Sequence, residues 1–576
     1  MNMTRIAILG AGYGGVHAAK VLHKKLKGRE VEVTLYDKNS FHTLRTELHE
    51  VAGGRCEPDS VRVSLEKIFG GKAVNVVVDR VQTVDFEART LKSEFAEYSW
   101  DYLILGVGAE PEFFGIPGVE QNSFTLWTYD DALRLREHIE AQFLKASREP
   151  NPDRRKIILR LVVAGAGFTG IELLGELLEW KASLCREYLI DPEEVTIMNV
   201  EAMTDILPTL SKELRTKAVR YIEDSGAELK LNTAITEVTP EGFRVKSGEF
   251  FATETLIWTC GVRGCAFAGN LTFPHAPHLA VPPLDQAEHD LRFNVKKKAR
   301  LNTNAYLQSV DDEKVYVVGD VLWFHDKNRV LPQVVETALQ SGELVANNII
   351  ADLDNQPKSE FHPKYHGFLV SIGSRFAVAD VMGVKFSGFW AMTMKHLVNL
   401  HYLWEVAGFN ACWGYLVHHF LNIKSNRSTL GSHAAAKTSS FWLLPLRLFL
   451  GATWFSVGLS GILHKGLAFL PVSPLMAWAE AGVGLALLLG LFTVIAADTS
   501  IVLTFILMAS GLLHGGSQWL FIFAALTMQG GGGKVLGLDY VVMPALKKWW
   551  NRTRCAKKSY LYVDEPRKSA DKPKNK

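Results

Sequence analysis

The sequence predicts an α/β protein of two doubly wound parallel-sheet domains, followed by amphipathic surface helices and an all-α four-helix transmembrane domain. Three observations predict it. Short β-branched runs alternate with helical stretches over about residues 1–350: RIAILG, EVTLYD, YLILGVG, LRLVVAG, VTIMNV and KVYVVGD. A strand runs straight into a glycine-rich loop twice, about 155 residues apart. From Phe441 to about Leu546 charge nearly vanishes, and from Lys547 to Lys576 Lys and Arg dominate. The length of 576 residues exceeds one core and suggests about three units. A net charge of +2 gives no bulk attraction for nucleic acid. Six cysteines without a paired framework fit a reducing compartment. No signal peptide opens the chain, which puts the expected N-terminal part on the cytoplasmic side.

The first loop, Gly10, Gly12, Gly14 and Gly15, follows the strand Ile6–Leu9. Gly10 makes the tight turn, Gly12 lets backbone approach a pyrophosphate, and Gly15 lets the helix pack close to the strand. The phosphates then meet unpaired N–H groups at the helix N-terminus. Asp37 lies 22 residues beyond Gly15, where an acid grips a ribose hydroxyl. The second loop, Gly165, Gly167, Thr169 and Gly170, follows the strand Leu161–Ala164, with Glu201 as its later acid. An acid there favours NADH, because it repels a 2′-phosphate. A further strand, Val315–Val321, ends in Gly-Asp and reads as the return strand of an FAD domain, with Asp320 at the cofactor. Two nucleotide folds in one chain imply a flavin and a nicotinamide face to face. The polar stretch 141–156, with Pro152, reads as a surface loop.

From Phe386 to about Phe420 the chain is aromatic, carries His and Lys and has little acid, which suits a membrane surface. After Gly431 come four apolar stretches: Phe441–Leu463, Pro474–Ala497, Thr499–His514 and Trp519–Met528. The first two are long enough to span and the last two are short. Arg447 and Glu480 within them are costly in hydrocarbon and are expected to pair or line a cavity.

The motif order resembles the type II NADH dehydrogenases, single-subunit NADH:quinone oxidoreductases of the two-dinucleotide flavoprotein fold. The matching stretches include GAGYGG, YDKNSFHT, LHEVAGG, VVAGAGFTGIELLGEL, IWTCGVRG and VYVVGD, over about residues 4–430. The resemblance implies non-covalent FAD, NADH as donor, a membrane quinone as acceptor, no proton pumping and attachment to the lipid bilayer by C-terminal amphipathic helices. It places Glu172 at the flavin–nicotinamide contact, Gly261 and Val262 over the NADH, and His42, Thr43, Glu50 and Gly108 around the FAD. One stretch departs from the family. Where A-Q-x-A-x-Q-Q is usual, this chain has Val335–Ser341, VETALQS: Glu336 replaces the first glutamine, the second remains as Gln340, and Ser341 replaces the third. Glu336 and Gln340 share a helix face, and a buried Glu336 is a candidate proton donor to the quinone. The apolar block resembles the four-helix DoxX family of small membrane proteins.

The expected domains are residues 1–125 (FAD, first part), 126–290 (NAD), 291–355 (FAD return segment), 356–435 (membrane-surface helices), 436–546 (DoxX-like) and 547–576 (basic cytoplasmic tail). A homodimer is left open. Cys260 and Cys265 follow the second fold, not the flavin, which argues against a disulfide or sulfide:quinone reductase. No metal site is expected, because His418 and His419 lack partners at ligand spacing. The rival of another class is an NADH-sensing or docking membrane protein.

Overall fold

The computed structural model describes residues 3–273, 299–326, 329–421, 443–463, 474–510, 518–530, 532–534 and 536–559. The chain forms two compact units, Met1–Ala435 and Ala436–Lys576. Parts of the expected domains, including residues 560–576 of the basic tail, lie outside the described residues.

The first unit holds two parallel five-stranded sheets of the same design. One has the order Val315–Val317, Tyr102–Leu105, Thr4–Leu9, Val31–Asp37, Asn75–Val78. The other has the order Phe124–Thr125, Thr255–Trp258, Arg160–Ala164, Thr196–Val200, Glu228–Lys230. In each, the strand feeding the glycine loop is the central one. It is buried because helices cover both faces of a parallel sheet. The loop therefore emerges at the switch point beyond the strand carboxyl ends, where such sheets bind ligands. Val315–Val317 returns from far along the chain to the edge of the first sheet. An antiparallel pair, Ala109–Pro111 with Val262–Gly264, ties the two sheets together.

The helix Tyr13–Lys25 packs on the later helix Val335–Leu353. Gly342 allows it, since a methyl group there would run into the Gly14 carbonyl oxygen; Gly15 in turn lets the helix sit close to its own strand, since a methyl group there would run into the Gly10 carbonyl oxygen. Neither obstacle is a movable side chain. Gly15→Ala is expected to cost about 1–3 kcal/mol, read as a lower midpoint of thermal unfolding. An unchanged midpoint would refute the close approach.

The stretch 141–156 is not a loop. Its first half completes the helix Tyr129–Arg148, which a Thr128–Asp131 capping box starts. Asn151 then caps a short helix, Pro152–Ile158. Pro152 sits at the first position of that helix, where its missing N–H costs nothing. A three-stranded antiparallel sheet, Gly367–Ile372, Phe376–Val381 and Val384–Ser387, precedes the helices Phe389–Ala407 and Phe409–Leu416. Lys20 anchors the end of the first of these by donating to the Glu405 and Val406 carbonyls. Phe389, Trp390, Leu397, Val398, Trp404, Phe409 and Trp413 are exposed along the pair.

In the second unit the helices are Leu443–Leu463, Pro474–Leu489, Thr493–Ala509 and Gln518–Thr527, followed by Asp539–Arg552 and Arg554–Ser559. Only Leu443–Leu463, with 21 residues and a mean hydropathy of 1.5, is long and apolar enough to cross a membrane among the described residues. The expected second span, 474–497, is broken after Leu489. Gly490 and Phe492 take left-handed conformations at φ +63° and +50°. The Asp539 carboxylate accepts the N–H groups of Phe492 and Thr493 at 2.7 and 2.9 Å and so starts the next helix. A cap supplied from 46 residues away left no local sequence signal. Arg447 does not pair with Glu480. Its guanidinium donates to the carbonyls of Gly532 and Leu536 at 2.7 and 3.2 Å.

Candidate active site

The two glycine loops are near copies. Gly10 and Gly165 turn at φ +106° and +98°. Nothing lies within 4 Å of where a Cβ would stand on Gly12 or Gly167, so each loop presents bare backbone outward. The helices Tyr13–Lys25 and Phe168–Tyr188 start with no side-chain cap and no acid in the first turn. Their first N–H groups and dipoles thus face outward unsatisfied, as a phosphate requires. Thr169 is exposed in the first turn of the second helix. Asp37 accepts the Ala11 N–H at 2.7 Å, and Glu201 accepts the Ala166 N–H at 2.6 Å. Each acid therefore braces the loop as well as standing at the strand end. Gly261, at φ +71°, begins the turn into Val262 and packs against Phe114.

Around the first loop, His42 is fully buried and bridges the Ala11 carbonyl to the Tyr402 hydroxyl, each at 2.8 Å. Burial pulls its pKa down to about 4, so it is neutral. Thr43 stands beside it in the strand Phe41–Thr43. Gly108, at φ +74°, faces the Arg45 guanidinium, and Gly319 turns at the same φ into Asp320. Burial raises the Asp320 pKa against the pull of Arg45 and Arg300. Ser341, which replaces the third family glutamine, is committed to the fold. Its hydroxyl accepts the Gly319 N–H at 3.1 Å and donates to the Ala338 carbonyl at 3.0 Å.

Glu336 and Gln340 do share a helix face, and both clamp the segment leading into the strand Gly367–Ile372. Glu336 lies 2.8 Å from Nδ1 of His366 and accepts the His366 N–H at 3.2 Å. The Gln340 amide donates to the Lys364 carbonyl at 2.6 Å and accepts its N–H at 2.9 Å. The Glu336 side chain is 33% exposed, so the burial that a proton donor needs is missing there.

The buried proton-carrying groups are elsewhere. Lys395, on the aromatic helix, is 5% exposed. Its Nζ donates to Glu50 at 2.6 Å and to the Ser371 hydroxyl at 3.2 Å, and lies 3.4 Å from both Glu47 and His49. Arg55 pairs with Glu50 at 2.5 Å and with Glu176 at 2.8 Å. His49 lies 3.6 Å from Glu172, which also meets the Ser371 hydroxyl at 3.4 Å. Burial acts differently on each member. It raises Glu172 to about 7, against the pull of Lys395. It raises Glu47 as well. Glu50 is held well below its ordinary range because Arg55 and Lys395 outweigh burial. Lys395 is held up because Glu47 and Glu50 outweigh its burial. Burial leaves His49 and His419 neutral, the latter at about 3. Glu50 thus sits inside a charge cluster. Sequence reasoning missed Lys395, Arg55 and His49. A lysine among aromatic residues reads as a membrane-surface group, and only the packed fold turns it inward.

Glu50, Cys56 and His419 offer three atoms within 4.8 Å of one another, a spacing a metal could use. Arg55 and Lys395 already neutralise that carboxylate, so an added cation meets two resident charges. Burial pushes the Cys56 thiol well up, and it donates to Glu50 at 3.2 Å, which favours the thiol over the thiolate. Cys260 and Cys265 are free thiols, both raised by burial.

A family model, the pyridine nucleotide-disulphide oxidoreductases, matches residues 4–273. A type II NADH:quinone oxidoreductase of Staphylococcus haemolyticus is 31% identical over 409 residues, 70% of this chain and 96% of the relative. The protein of the same name from Staphylococcus aureus is 32% identical over the same shares. Among solved structures, NDH2 of Plasmodium falciparum in complex with NADH matches with a TM-score of 0.62 at 18% identity, over 72% of this chain and 97% of that one. The sulfide:quinone oxidoreductase of Aquifex aeolicus matches with a TM-score of 0.55 at 16% identity, over 71% and 92%. These structural matches speak for the fold, and the sequence relatives speak for the family. With two bare glycine loops, their bracing acids and relatives aligned over nearly their whole length, the chain belongs to the type II NADH:quinone oxidoreductases.

Proposed function

We propose that the protein is a membrane-associated, FAD-dependent enzyme that oxidises NADH and reduces a membrane quinone without pumping protons. The single observation that carries this is the pair of near-identical glycine loops in one compact unit, with the half-buried Glu172 next to the second of them. The residues around the first loop fit FAD: Gly12 is bare, the helix start is uncapped, and Gly108 and Gly319 keep side chains off the crevice. Bound there, FAD supplies a two-electron carrier between NADH and quinone.

The chain's own groups supply positioning and protons. Gly165, Gly167, Thr169, Gly170, Gly261 and Val262 hold the NADH, and Glu201 selects it over NADPH. Gly10, Gly12, Gly14, Gly15, Asp37, His42, Thr43, Gly108 and Asp320 hold the FAD. Quinone reduction consumes two protons, and Glu172 with a pKa of about 7 is poised to give one at neutral pH. Lys395 stands next to it as a charge that limits the rise. Glu336 and Gln340 act by fixing the segment Lys364–His366, and the proton-donor reading of Glu336 gives way to Glu172. The exposed aromatic residues of Phe389–Ala407 and Phe409–Leu416 meet the bilayer. We read the second unit as the DoxX-like membrane domain, with Leu443–Leu463 crossing and the shorter apolar helices packed on it.

Steady-state NADH oxidation with a panel of short-chain quinones tests the reading, and NADH oxidation that no quinone stimulates would overturn it. The kcat/KM for NADH is expected to exceed that for NADPH by about a hundredfold or more. Glu201→Gln is expected to narrow the gap, since it removes the charge that repels a 2′-phosphate. A ratio that Glu201→Gln leaves unchanged would remove Glu201 from cofactor choice.

A further inference from the structure

The two dinucleotide folds correspond residue for residue through their strand registers. Ile8 pairs with Leu35 and Val163 with Asn199, each two positions before the first loop glycine. Leu9 pairs with Leu105 and Ala164 with Trp258, so Gly106 in the first fold answers to Thr259 in the second. The backbone agrees: the Gly106 N–H donates to the Leu9 carbonyl at 2.8 Å, and the Thr259 N–H to the Ala164 carbonyl at 2.9 Å. The side chains at these two places differ in kind. Leu35 and Gly106 have no side-chain donor, whereas Asn199 and Thr259 both donate to the loop strand. Asn199 Nδ2 donates to the carbonyls of Gly165 at 2.9 Å and Val163 at 3.0 Å. The Thr259 hydroxyl donates to the Ala164 carbonyl at 2.7 Å and lies 3.4 Å from that of Gly165. The first loop instead meets His42 one residue further on, at the Ala11 carbonyl.

Packing does not call for an amide at this place. Asn199 and Leu35 are both completely buried. Two carbonyls beside the Asn199 amide fix its NH2 toward them, and its Oδ1 is left buried without a hydrogen-bond partner. An orphaned acceptor in a strand centre is a cost that the leucine of the first sheet avoids. What the amide achieves lies at the first peptide of the loop. The Gly165 carbonyl and the Ala166 N–H belong to one planar unit. Asn199 holds its oxygen and Glu201 holds its N–H at 2.6 Å. Holding both ends fixes a unit to which glycine would otherwise leave wide backbone freedom.

We propose that Asn199, assisted by Thr259, is a positioning residue that keeps the second glycine loop in its phosphate-binding shape while the loop is empty. This rests on the reading of that loop as the NADH site. FAD stays bound through the cycle and orders the first loop itself. NADH arrives and NAD+ leaves in every turnover, so the second loop must be ordered without its ligand. A loop in the competent shape only a tenth of the time binds about tenfold more weakly.

The test uses the full-length, FAD-loaded protein and two measurements. One is calorimetric titration with ADP-ribose, which carries the pyrophosphate and adenosine of NADH but no nicotinamide. The other is stopped-flow bleaching of the flavin over a range of NADH concentrations. Asn199→Leu installs the residue of the first fold. It is expected to weaken ADP-ribose binding and apparent NADH binding by the same factor, about tenfold. The FAD content and the bleaching rate at saturating NADH are expected to stay within about twofold of the wild type. Thr259→Val keeps the shape without the hydroxyl and is expected to weaken both ligands about threefold, and Thr259→Ser to restore them. ADP-ribose affinity within about twofold of the wild type in Asn199→Leu would overturn the proposal. So would a loss of FAD content or limiting rate in step with affinity, which would make Asn199 a residue of general stability. The wild type separates the two readings. A wild type that bleaches with NADH, beside variants of undiminished affinity, sinks this inference alone. A wild type that NADH does not bleach sinks the reading of the loop as the donor site.

Discussion

Lys395→Met is expected to destabilise the protein by about 3–5 kcal/mol, because it leaves a buried carboxylate pair without its central cation. The Lys395 Nζ lies 2.6 Å from Glu50 and 3.4 Å from Glu47, and all three side chains are almost wholly buried. Arg55 still holds Glu50, so that carboxylate is not left entirely alone. The sign of the pH dependence follows from the shifts. The raised Lys395 pKa gives stability that is present at and below neutral pH and lost only in strong alkali. The lowered Glu50 pKa gives stability present above the unfolded carboxylate range and lost only in strong acid. Lys395 also limits the rise of the Glu172 pKa to about 7 and of the Glu47 pKa, so its loss raises both further, and the cost of Lys395→Met is expected to grow as pH rises between about 6 and 8 in urea unfolding. Adding Glu50→Gln to Lys395→Met is expected to recover part of the loss, since it removes the stranded charge. A cost below about 0.5 kcal/mol would show that the cluster does not hold the aromatic helix to the core.

The second large effect is on turnover. Glu172→Gln is expected to lower quinone-dependent kcat about a hundredfold at neutral pH and to leave the reduction of the bound flavin by NADH nearly intact. In the wild type, the quinone half-reaction is expected to slow as pH rises through about 7, as Glu172 loses its proton. Glu172→Gln is expected to abolish that inflection. Stability gives an independent readout. The folded state holds the Glu172 proton up to about pH 7, and the unfolded chain releases it near its ordinary value. The folded state therefore binds more protons across that window, and stability falls as pH rises through it. Glu172→Gln is expected to flatten that fall. A variant with an unchanged pH profile in both measurements would remove Glu172 from proton delivery.

Much of the fold was legible because glycine loops, their flanking strands and distant acids form a code with local causes. Gly10 and Gly165 are needed for positive φ, and Asp37 and Glu201 stand where a parallel strand must end. The return strand Val315–Val317 was legible from its Gly-Asp ending, although only pairing with Tyr102–Leu105 fixes its place. What was not legible depends on partners far away in sequence. Lys395 is drawn inward by Glu47 and Glu50, some 345 residues earlier. The break at Gly490 is set by Asp539, a later residue. Glu336, in place of the family glutamine, is a proton donor only if buried, and no local pattern shows that His366, 30 residues on, pairs with it at a one-third exposed position. The sequence shows Ser341 only as a departure from the family glutamine, and the fold shows that the serine ties Gly319 to the helix.

The central claim is that electrons pass from NADH through the first unit to a quinone. Anaerobic stopped-flow absorbance at the flavin band tests it most directly. Purified protein is expected to be yellow, to bleach on mixing with NADH, and to recover its colour on mixing with a short-chain menaquinone. Protein that bleaches with NADH but stays bleached with that quinone and with a short-chain ubiquinone would contradict the account.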